Sequence, residues 1–538
     1  MRSVDTIIVG GGAAGCVLAN RLSEDPGRQV LLLEAGGPVT GLFKDMPIAF
    51  QAYVQRRDLN WNFIGEPEPA LGGRTIEVPR GKALGGSSAI NGMVYARGHR
   101  LDYDDWARQG LRGWSYAEVL PYFRRSEKSW LGENAYHGNT GELEVVVPTA
   151  NMMYAELRAA SIAAGYPATD DVHGAQTEGV QRSEMTVRAG RRGNAARLFL
   201  RPALGRRNLS VETRALATRV IVENGRAVGV EFGRDGRAEV VRAAQEVILA
   251  GGVYGSAQVL MLSGIGPADD LRRVGVAPIV DLPGVGRNLI EHPFLLMGWQ
   301  PRNGVYRQQL RLDRAMIWAL RWWLFGTGLF ATNGAAGNIF IRTAPSCDRP
   351  DMQFTCMSTE VCAQGLSFPG RPPKALLGVG VSMIRQDGRG AVSLRSADPA
   401  DPPRILFNLF EQRSDVARMV RGIRAARAIY GHKPLADMVE SELLPGRDLE
   451  SDAALGDWVR QVGAITQHAV GTCRMGVDAD PAAVVDDQLR VRGVAGLRVI
   501  DASVMPNVPG GNTYAPTIMI AEKGADLIRG RALPRASV

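Results

Sequence analysis

The chain opens on a short apolar run, Val4-Asp5-Thr6-Ile7-Ile8-Val9, which predicts a buried strand. Gly10-Gly11-Gly12-Ala13-Ala14-Gly15 follows directly, and Cys16 to Leu22 reads as a helix. A second apolar run, Gln29 to Leu33, predicts another strand ending at the carboxylate of Glu34. Val247 to Gly252 is a further run of this kind. Strand-like stretches at Val379–Ile384 and Ala391–Leu394, set off by the prolines of Pro369–Pro373 and Asp398–Pro403, predict an antiparallel sheet. Near the end of the chain, Pro516 followed by Thr517 to Lys523 predicts a helix with proline in its first turn.

One segment invites a membrane reading, because Trp322 to Ile341 carries no charged side chain. Gly326, Gly328, Asn333, Gly334 and Gly337 interrupt it, and Arg321 and Arg342 bound it closely. It therefore reads as core or as a lid near the substrate rather than a spanning helix. Trp318, Trp322, Trp323, Phe325 and Phe330 fall at near-helical spacing, which predicts core packing ahead of a pocket wall.

Length and composition narrow the class. A single core seldom grows beyond about 250–300 residues, so 538 residues predict two domains. The 64 glycines follow no triplet period, which excludes collagen, and 45% apolar residues exclude disorder. The formal charge of +8 suggests nucleic acid at first sight, but only six of the 63 basic residues are lysine. The arginines are scattered in isolated pairs such as Arg124-Arg125 and Arg206-Arg207, so no nucleic-acid arm is expected. Five cysteines without a CxxC spacing favour neither a disulfide framework nor a zinc site, and fit a reducing cytoplasm. Met1-Arg2-Ser3 leads straight into the first strand, with no signal-peptide pattern.

Gly10, Gly12 and Gly15 form a GxGxxG turn between strand and helix. The first glycine allows the tight turn, the second lets a pyrophosphate approach the backbone, and the third lets the helix pack on the strand. Glu34, 19 residues beyond Gly15, stands where a ribose hydroxyl needs an acceptor. The order of these parts predicts a dinucleotide site but does not separate NAD from FAD.

A glycine-rich loop, Gly81-Lys82-Ala83-Leu84-Gly85-Gly86-Ser87-Ser88 with Asn91, Tyr95, Gly98 and Asp104, resembles the first signature of the glucose–methanol–choline (GMC) family of FAD-dependent alcohol oxidoreductases. Gly252 to Gly266 is similar to the second signature, with Val253 and Ala257 departing from the usual residues. Two later blocks, His468 to Gly476 and Asp501 through Lys523, resemble the family's C-terminal half. The likeness covers essentially the whole chain and is nearest to choline-dehydrogenase-like alcohol dehydrogenases. It implies an α/β fold in which a Rossmann-like FAD-binding domain carries an antiparallel-sheet substrate domain. The expected division is 1–150, 201–295 and 461–538 for FAD, and 151–200 and 296–460 for substrate. It also implies FAD contacts at Ala13, Ala14, Ala35, Leu84, Gly85, Ser87, Asn91, Gly92, Met93, Val94, Val220, Asp501, Ala502, Asn512 and Thr513. Ile90 occupies the position of the histidine that tethers FAD in some members, so a non-covalent cofactor is expected.

Oxidising an alcohol requires a base for the hydroxyl proton while hydride leaves for flavin N5, and imidazole suits the task. Of six histidines, His468 matches the family's catalytic position, and Ala469 replaces a common proline beside it. Asn512 matches the second polar residue, able to hydrogen-bond the substrate oxygen but not to act as base. Tyr514 replaces a frequent asparagine and is expected to narrow the pocket. The helix after Asn512 would turn positive amide dipoles toward the flavin. His292 reads as structural or at the pocket edge, His99, His137 and His173 as surface or loop residues, and His432 as a helix C-terminal residue. The expected partners are a small-molecule alcohol and an electron acceptor, quinone-type, dye or O2. Oxidase and hydroxynitrile-lyase chemistry remain alternatives, and peripheral contact with the inner membrane stays open.

Overall fold

The computed structural model describes residues 2–41, 43–148, 153–302, 311–361 and 376–538. Its first sheet grows around the opening apolar run. Strand Arg2–Val9 lies between Val30–Glu34 and the end of Arg237–Leu249, parallel to both. Leu209–Thr213 extends the sheet beyond Val30–Glu34, and Leu497–Val499 closes the far side against Val247–Leu249. Parallel strands are covered on both faces, which is why Ile7, Ile8, Leu31, Leu32, Val247 and Ile248 read as continuous apolar runs. The first half of Arg237–Leu249 leaves this core and pairs antiparallel with Arg226–Arg234, which pairs in turn with Leu216–Glu223.

Helix Ala13–Leu22 starts as soon as the glycine turn ends. A Cβ on Gly15 would lie 1.8 Å from the Gly10 carbonyl oxygen, so only glycine lets this helix sit on its strand. Helix Tyr514–Ile528 packs against it and is buried along most of its length. Its Glu522 is held by Arg21 at 2.8 Å and Arg125 at 2.6 Å. Proline does fall in the first turn of this helix, as Pro516.

The second sheet is antiparallel. In spatial order it runs Val439–Leu444, Pro293–Pro301, Leu376–Met383, Met352–Val361, Ala335–Ile341 and Gly179–Arg182, with Ala464–Ile465 paired to Pro293–Phe294. Helix Arg413–Tyr430 packs on Leu376–Met383, so that strand is buried throughout. His432 caps this helix with a ring nitrogen 2.7 Å from the Ala428 carbonyl, in keeping with its reading as a C-terminal residue.

Two expectations need correction. Ala391–Ser393 is a strand, but it pairs with Arg404–Leu406 in a separate two-stranded ribbon. Hydrogen bonds from Val392 to Gly286 and between Gly390 and Leu289 draw it away from the large sheet. The aromatic segment forms helix Leu312–Phe325, in which Trp322 alone is buried. The Trp322 indole donates to the Gly190 carbonyl at 2.8 Å beneath Arg191, whereas Trp323 and Phe325 are exposed. Near-helical spacing therefore gives the helix but not its buried side. The proline run 369–373 lies outside the described residues.

Among the described residues, Cys16, Cys347, Cys356 and Cys473 are all free thiols, and no cluster of metal-ligating side chains occurs. No described helix is long and apolar enough to cross a membrane.

Candidate active site

A cleft of about 620 Å³ runs from the glycine turn to the antiparallel sheet. At one end, Gly10 adopts φ of +106°, and a Cβ there would meet the Ala250 carbonyl oxygen at 2.5 Å. Gly12 borders the cleft, and a Cβ on it would meet nothing nearer than 3.9 Å. Glu34 ends its strand at the cleft wall and accepts hydrogen bonds from Gly11 N at 2.8 Å and Gly36 N at 2.7 Å. Burial raises its pKa to about 7 against those two bonds. A ligand that donates hydroxyls to Glu34 would favour its ionised form.

The middle loop presses backbone against backbone. A Cβ on Gly86 would lie 2.8 Å from the Gly12 Cα, so the loop seals the glycine turn only as glycine. Ser87 receives Gly81 N at 3.1 Å, and the Asn91 side chain receives Met93 N at 3.2 Å and Arg192 at 3.0 Å. These bonds fix the stretch Ser87 to Val94, in which Ser87, Ile90, Asn91, Gly92, Met93 and Val94 line the cleft. Asn333, at the start of the antiparallel sheet, donates to the Gly92 carbonyl at 2.8 Å and joins the two halves of the wall.

His468 and Asn512 meet at the substrate end. The Asn512 amide nitrogen lies 2.9 Å from His468 Nε2, and its oxygen accepts from Gln353 at 3.2 Å. With the Asn512 oxygen so occupied, its NH2 faces the imidazole and donates to Nε2. His468 Nδ1 faces Nδ1 of His292 at 3.2 Å. Burial, reinforced by the positive charge of Arg80, lowers the His468 pKa to about 3, so the ring is neutral. Its single proton then sits on Nδ1 and is donated to His292, itself held neutral by burial and by His468. Glu291 lies beside this pair and accepts the His468 backbone N–H at 2.7 Å and the Thr466 hydroxyl at 3.1 Å. Burial raises Glu291 to about 7, opposed by Arg80 with a guanidinium nitrogen at 3.6 Å.

The expected residues are not all at the wall. Gly10, Gly12, Ala13, Ala14, Glu34, Ala35, Ser87, Asn91, Gly92, Met93, Val94, Asp501, Ala502, Asn512 and Thr513 line the cleft with His468. Gly15, Leu84, Gly85 and Val220 lie behind it. The outgoing strand reaches the cleft at Ala215 to Ala217, and Val220 N is bonded instead to the Ser263 hydroxyl at 2.8 Å. Asp501 spends both oxygens on protein, on Gly252 N at 2.9 Å, Ser256 at 2.6 Å and Ser503 N at 2.8 Å. It therefore ties the start of helix Gly252–Leu262 to the cleft. Tyr514 lines the cleft, its hydroxyl donating to the Gly193 carbonyl at 3.1 Å.

Sequence reasoning missed Glu291 and Gln353, and read His292 as structural or at the pocket edge, where it stands buried against His468. Adjacent Glu291 and His292 in an apolar stretch were the available signal, whereas a glutamine inside a strand gives none. His137 and His173 lie in loops, as read, but not at the surface. Both are buried, His137 between Glu127 and Asp171 at 3.0 Å each, His173 at 3.3 Å from Glu184. Their acidic partners, not a ligand, explain them. His99 caps helix Arg100–Arg108.

With this geometry in place, comparison with known proteins decides the family. The GMC oxidoreductase N-terminal model matches residues 4–294 and its C-terminal counterpart residues 386–521. The chain belongs to the GMC oxidoreductase family. An oxygen-dependent choline dehydrogenase of Sinorhizobium fredii is 40% identical, covering 98% of this chain and 96% of its own length. The mitochondrial choline dehydrogenase of Homo sapiens is 42% identical over 98% of this chain and 89% of its own. Among solved structures, a pyridoxine 4-oxidase from Mesorbium loti has a TM-score of 0.87 at 30% identity, covering 98% of this chain and 100% of that one. A formate oxidase of Aspergillus oryzae gives 0.90 at 26% identity, with 98% of both chains covered.

This GMC oxidoreductase is an FAD-dependent enzyme that acts on CH–OH donors and passes electrons to an acceptor. The residues present fit FAD. Gly10 and Gly12 offer bare backbone to a pyrophosphate, Glu34 offers a carboxylate to the ribose, and Asn91 to Val94 with Thr513 frame the cleft near His468.

Proposed function

We propose that His468 is the base of this alcohol oxidation and that Asn512 holds the substrate oxygen. The observation that carries the reading is the His468–Asn512 pair, 2.9 Å apart in the wall of the cleft. An alcohol oxygen entering the cleft would displace this direct bond, accepting from the Asn512 NH2 and offering its proton to the Nε2 lone pair so freed. FAD, when bound, supplies the two-electron oxidation of the carbinol carbon. Taking the proton makes His468 an imidazolium, whose Nδ1–H stays bonded to His292, while the Glu291 carboxylate holds the His468 backbone N–H. Gln353 keeps the Asn512 amide turned so that nitrogen, not oxygen, faces the substrate. The N-terminus of helix Tyr514–Ile528 begins beside Asn512 and adds positive dipole at this end of the cleft. His468, Asn512 and the cleft-lining residues are thus the proposed site.

The substrate reading is an uncharged alcohol with an apolar body. Phe294, Leu296, Ile465 and Met357 face this end beside the neutral polar groups of Asn333, Thr355 and Ser382. Among the described lining residues the only acids are Glu34 and Asp501, both engaged elsewhere. A quaternary ammonium would want a carboxylate or a cage of rings, and Trp61, Phe63 and Tyr254, in ring contact through Phe63, line the same cleft. Choline, the substrate in the names of the relatives above, is the second reading. We assign the electrons to a quinone-type acceptor by likeness to the choline dehydrogenases, with O2 as the alternative that the name of the Sinorhizobium fredii relative favours. FAD is expected to be releasable, because Ile90 at the cleft wall offers no nucleophile.

Anaerobic addition of an alcohol panel, choline included, tests the reading through the oxidised-flavin band. Bleaching by apolar alcohols and not by choline is the expected result. Bleaching by choline alone would overturn the substrate assignment, and no bleaching by any alcohol would favour a lyase. Rapid recovery on readmitting air would replace the quinone-type acceptor with O2.

A further inference from the structure

Helix Leu312–Phe325 is the most apolar feature the described surface presents to water. Leu312 is 84% exposed, Met316 72% and Phe325 72%, and Ile317, Leu320, Trp323 and Leu324 are exposed beside them. At 100° per residue, Leu312, Met316, Leu320 and Trp323 form one column and Ile317 and Leu324 a second next to it. Arg314 and Arg321, seven residues apart and both exposed, stand along the edge of this stripe. The opposite side is anchored by Trp322, fixed to Gly190 and covered by Arg191. A soluble monomer gains nothing from seven large apolar side chains held in water on one helix.

We infer that this helix lies in the plane of an anionic lipid surface and docks the enzyme on it. An apolar stripe bordered by arginine, with tryptophan among its residues, is the pattern of an interfacial helix. Arg314 and Arg321 sit where their guanidinium groups reach lipid phosphates while the stripe enters the acyl boundary. Arg311 flanks the helix start, and Arg188 is exposed on the hairpin whose Gly190 abuts Gly326. Asp313 is the helix's only acid, and it is 3.3 Å from Arg311. A second copy of the chain fits less well. An antiparallel two-fold pairing through the stripe would set the same arginine edges side by side.

The placement also bears on the cleft. The chain leaves the helix at Gly326, turns through Leu329–Ala331 against Pro47–Ala49, and reaches Asn333, which lines the cleft as Phe50 does. Docking through this helix brings the apolar wall of the cleft near the bilayer, where an apolar alcohol or a lipid-held acceptor is concentrated.

The test is flotation of the FAD-loaded enzyme with phosphatidylcholine vesicles, with and without phosphatidylglycerol, alongside its mass in solution by light scattering. Two variants accompany it, Ile317→Ser/Leu320→Ser/Leu324→Ser and Arg314→Glu/Arg321→Glu. The wild type is expected to float with the anionic vesicles, and each variant to bind roughly tenfold more weakly or worse. Flavin bleaching by alcohol in solution should not change. Should the triple variant fail to fold, the charge reversal carries the test alone. The inference is overturned if the wild type does not float, if neither variant weakens flotation, or if the triple variant turns a wild-type dimer into a monomer.

Discussion

Burial and the charge of Arg80 hold His468 at about 3, so its base form is present throughout the physiological range and its own titration gives no limb there. The titration that matters sits beside it. Glu291, which accepts the His468 backbone N–H, is raised to about 7, and we propose that its negative charge favours the imidazolium that proton abstraction would create. Flavin reduction should therefore accelerate as pH rises through about 7, and Glu291→Gln should give a slower, flat profile in the same anaerobic assay. A Glu291→Gln profile that keeps the wild-type limb would remove Glu291 from the mechanism. Asn512→Ala loses one hydrogen bond to the substrate oxygen and should slow bleaching roughly tenfold. Normal reduction in that variant would leave Asn512 a wall residue only. Little of this was legible along the chain. His468 and His292 are 176 positions apart, and the hydrogen bond between them exists only once Ala464–Ile465 pairs with Pro293–Phe294.

At the scale of elements, local chemistry was the legible part. The strand, glycine turn and helix of residues 2–22 need no distant partner, and Gly10 and Gly15 carry their reasons in their own backbone contacts. Gly15→Ala places a methyl group 1.8 Å from the Gly10 carbonyl. It should cost about 1–3 kcal/mol or more, seen as a lower unfolding temperature and less FAD retained on gel filtration. Unchanged FAD content and stability would mean the helix can shift away freely. Ala391–Ser393 shows where local pattern runs out, because its partner is chosen by bonds to Gly286 and Leu289 about 100 residues earlier. Helix Leu312–Phe325 shows the same from the other side. Its spacing is helical, yet which face is covered depends on Gly190 and Arg191.

Across the whole molecule, the largest misreading concerns a buried ionic network. Arg97, Glu127, His137 and Asp171 converge with Tyr95 from separate turns and strands, and no local pattern marks them as one group. Burial opposes charge on His137, but its bonds to Asp171 and Glu127 outweigh that and raise it to about 9. A raised histidine stabilises the fold fully below its unfolded value of about 6.5 and loses that contribution as pH rises through the folded value. The unfolding temperature should thus fall between about pH 6.5 and 9, and His137→Gln should remove most of that slope while lowering stability at neutral pH. An equal slope in the variant would assign it to other groups.

The proposed proton abstraction by His468 ties these levels together, because the glycine turn and the antiparallel sheet border the cleft that it lines and the Glu291–His292 loop holds it from behind. The most direct measurement is the anaerobic rate of flavin bleaching by the best alcohol in His468→Ala, at full FAD occupancy, against wild type. A fall of roughly 10²–10⁴-fold with the flavin spectrum intact is predicted for a lost general base. A rate within a few-fold of wild type would show that another group takes the proton.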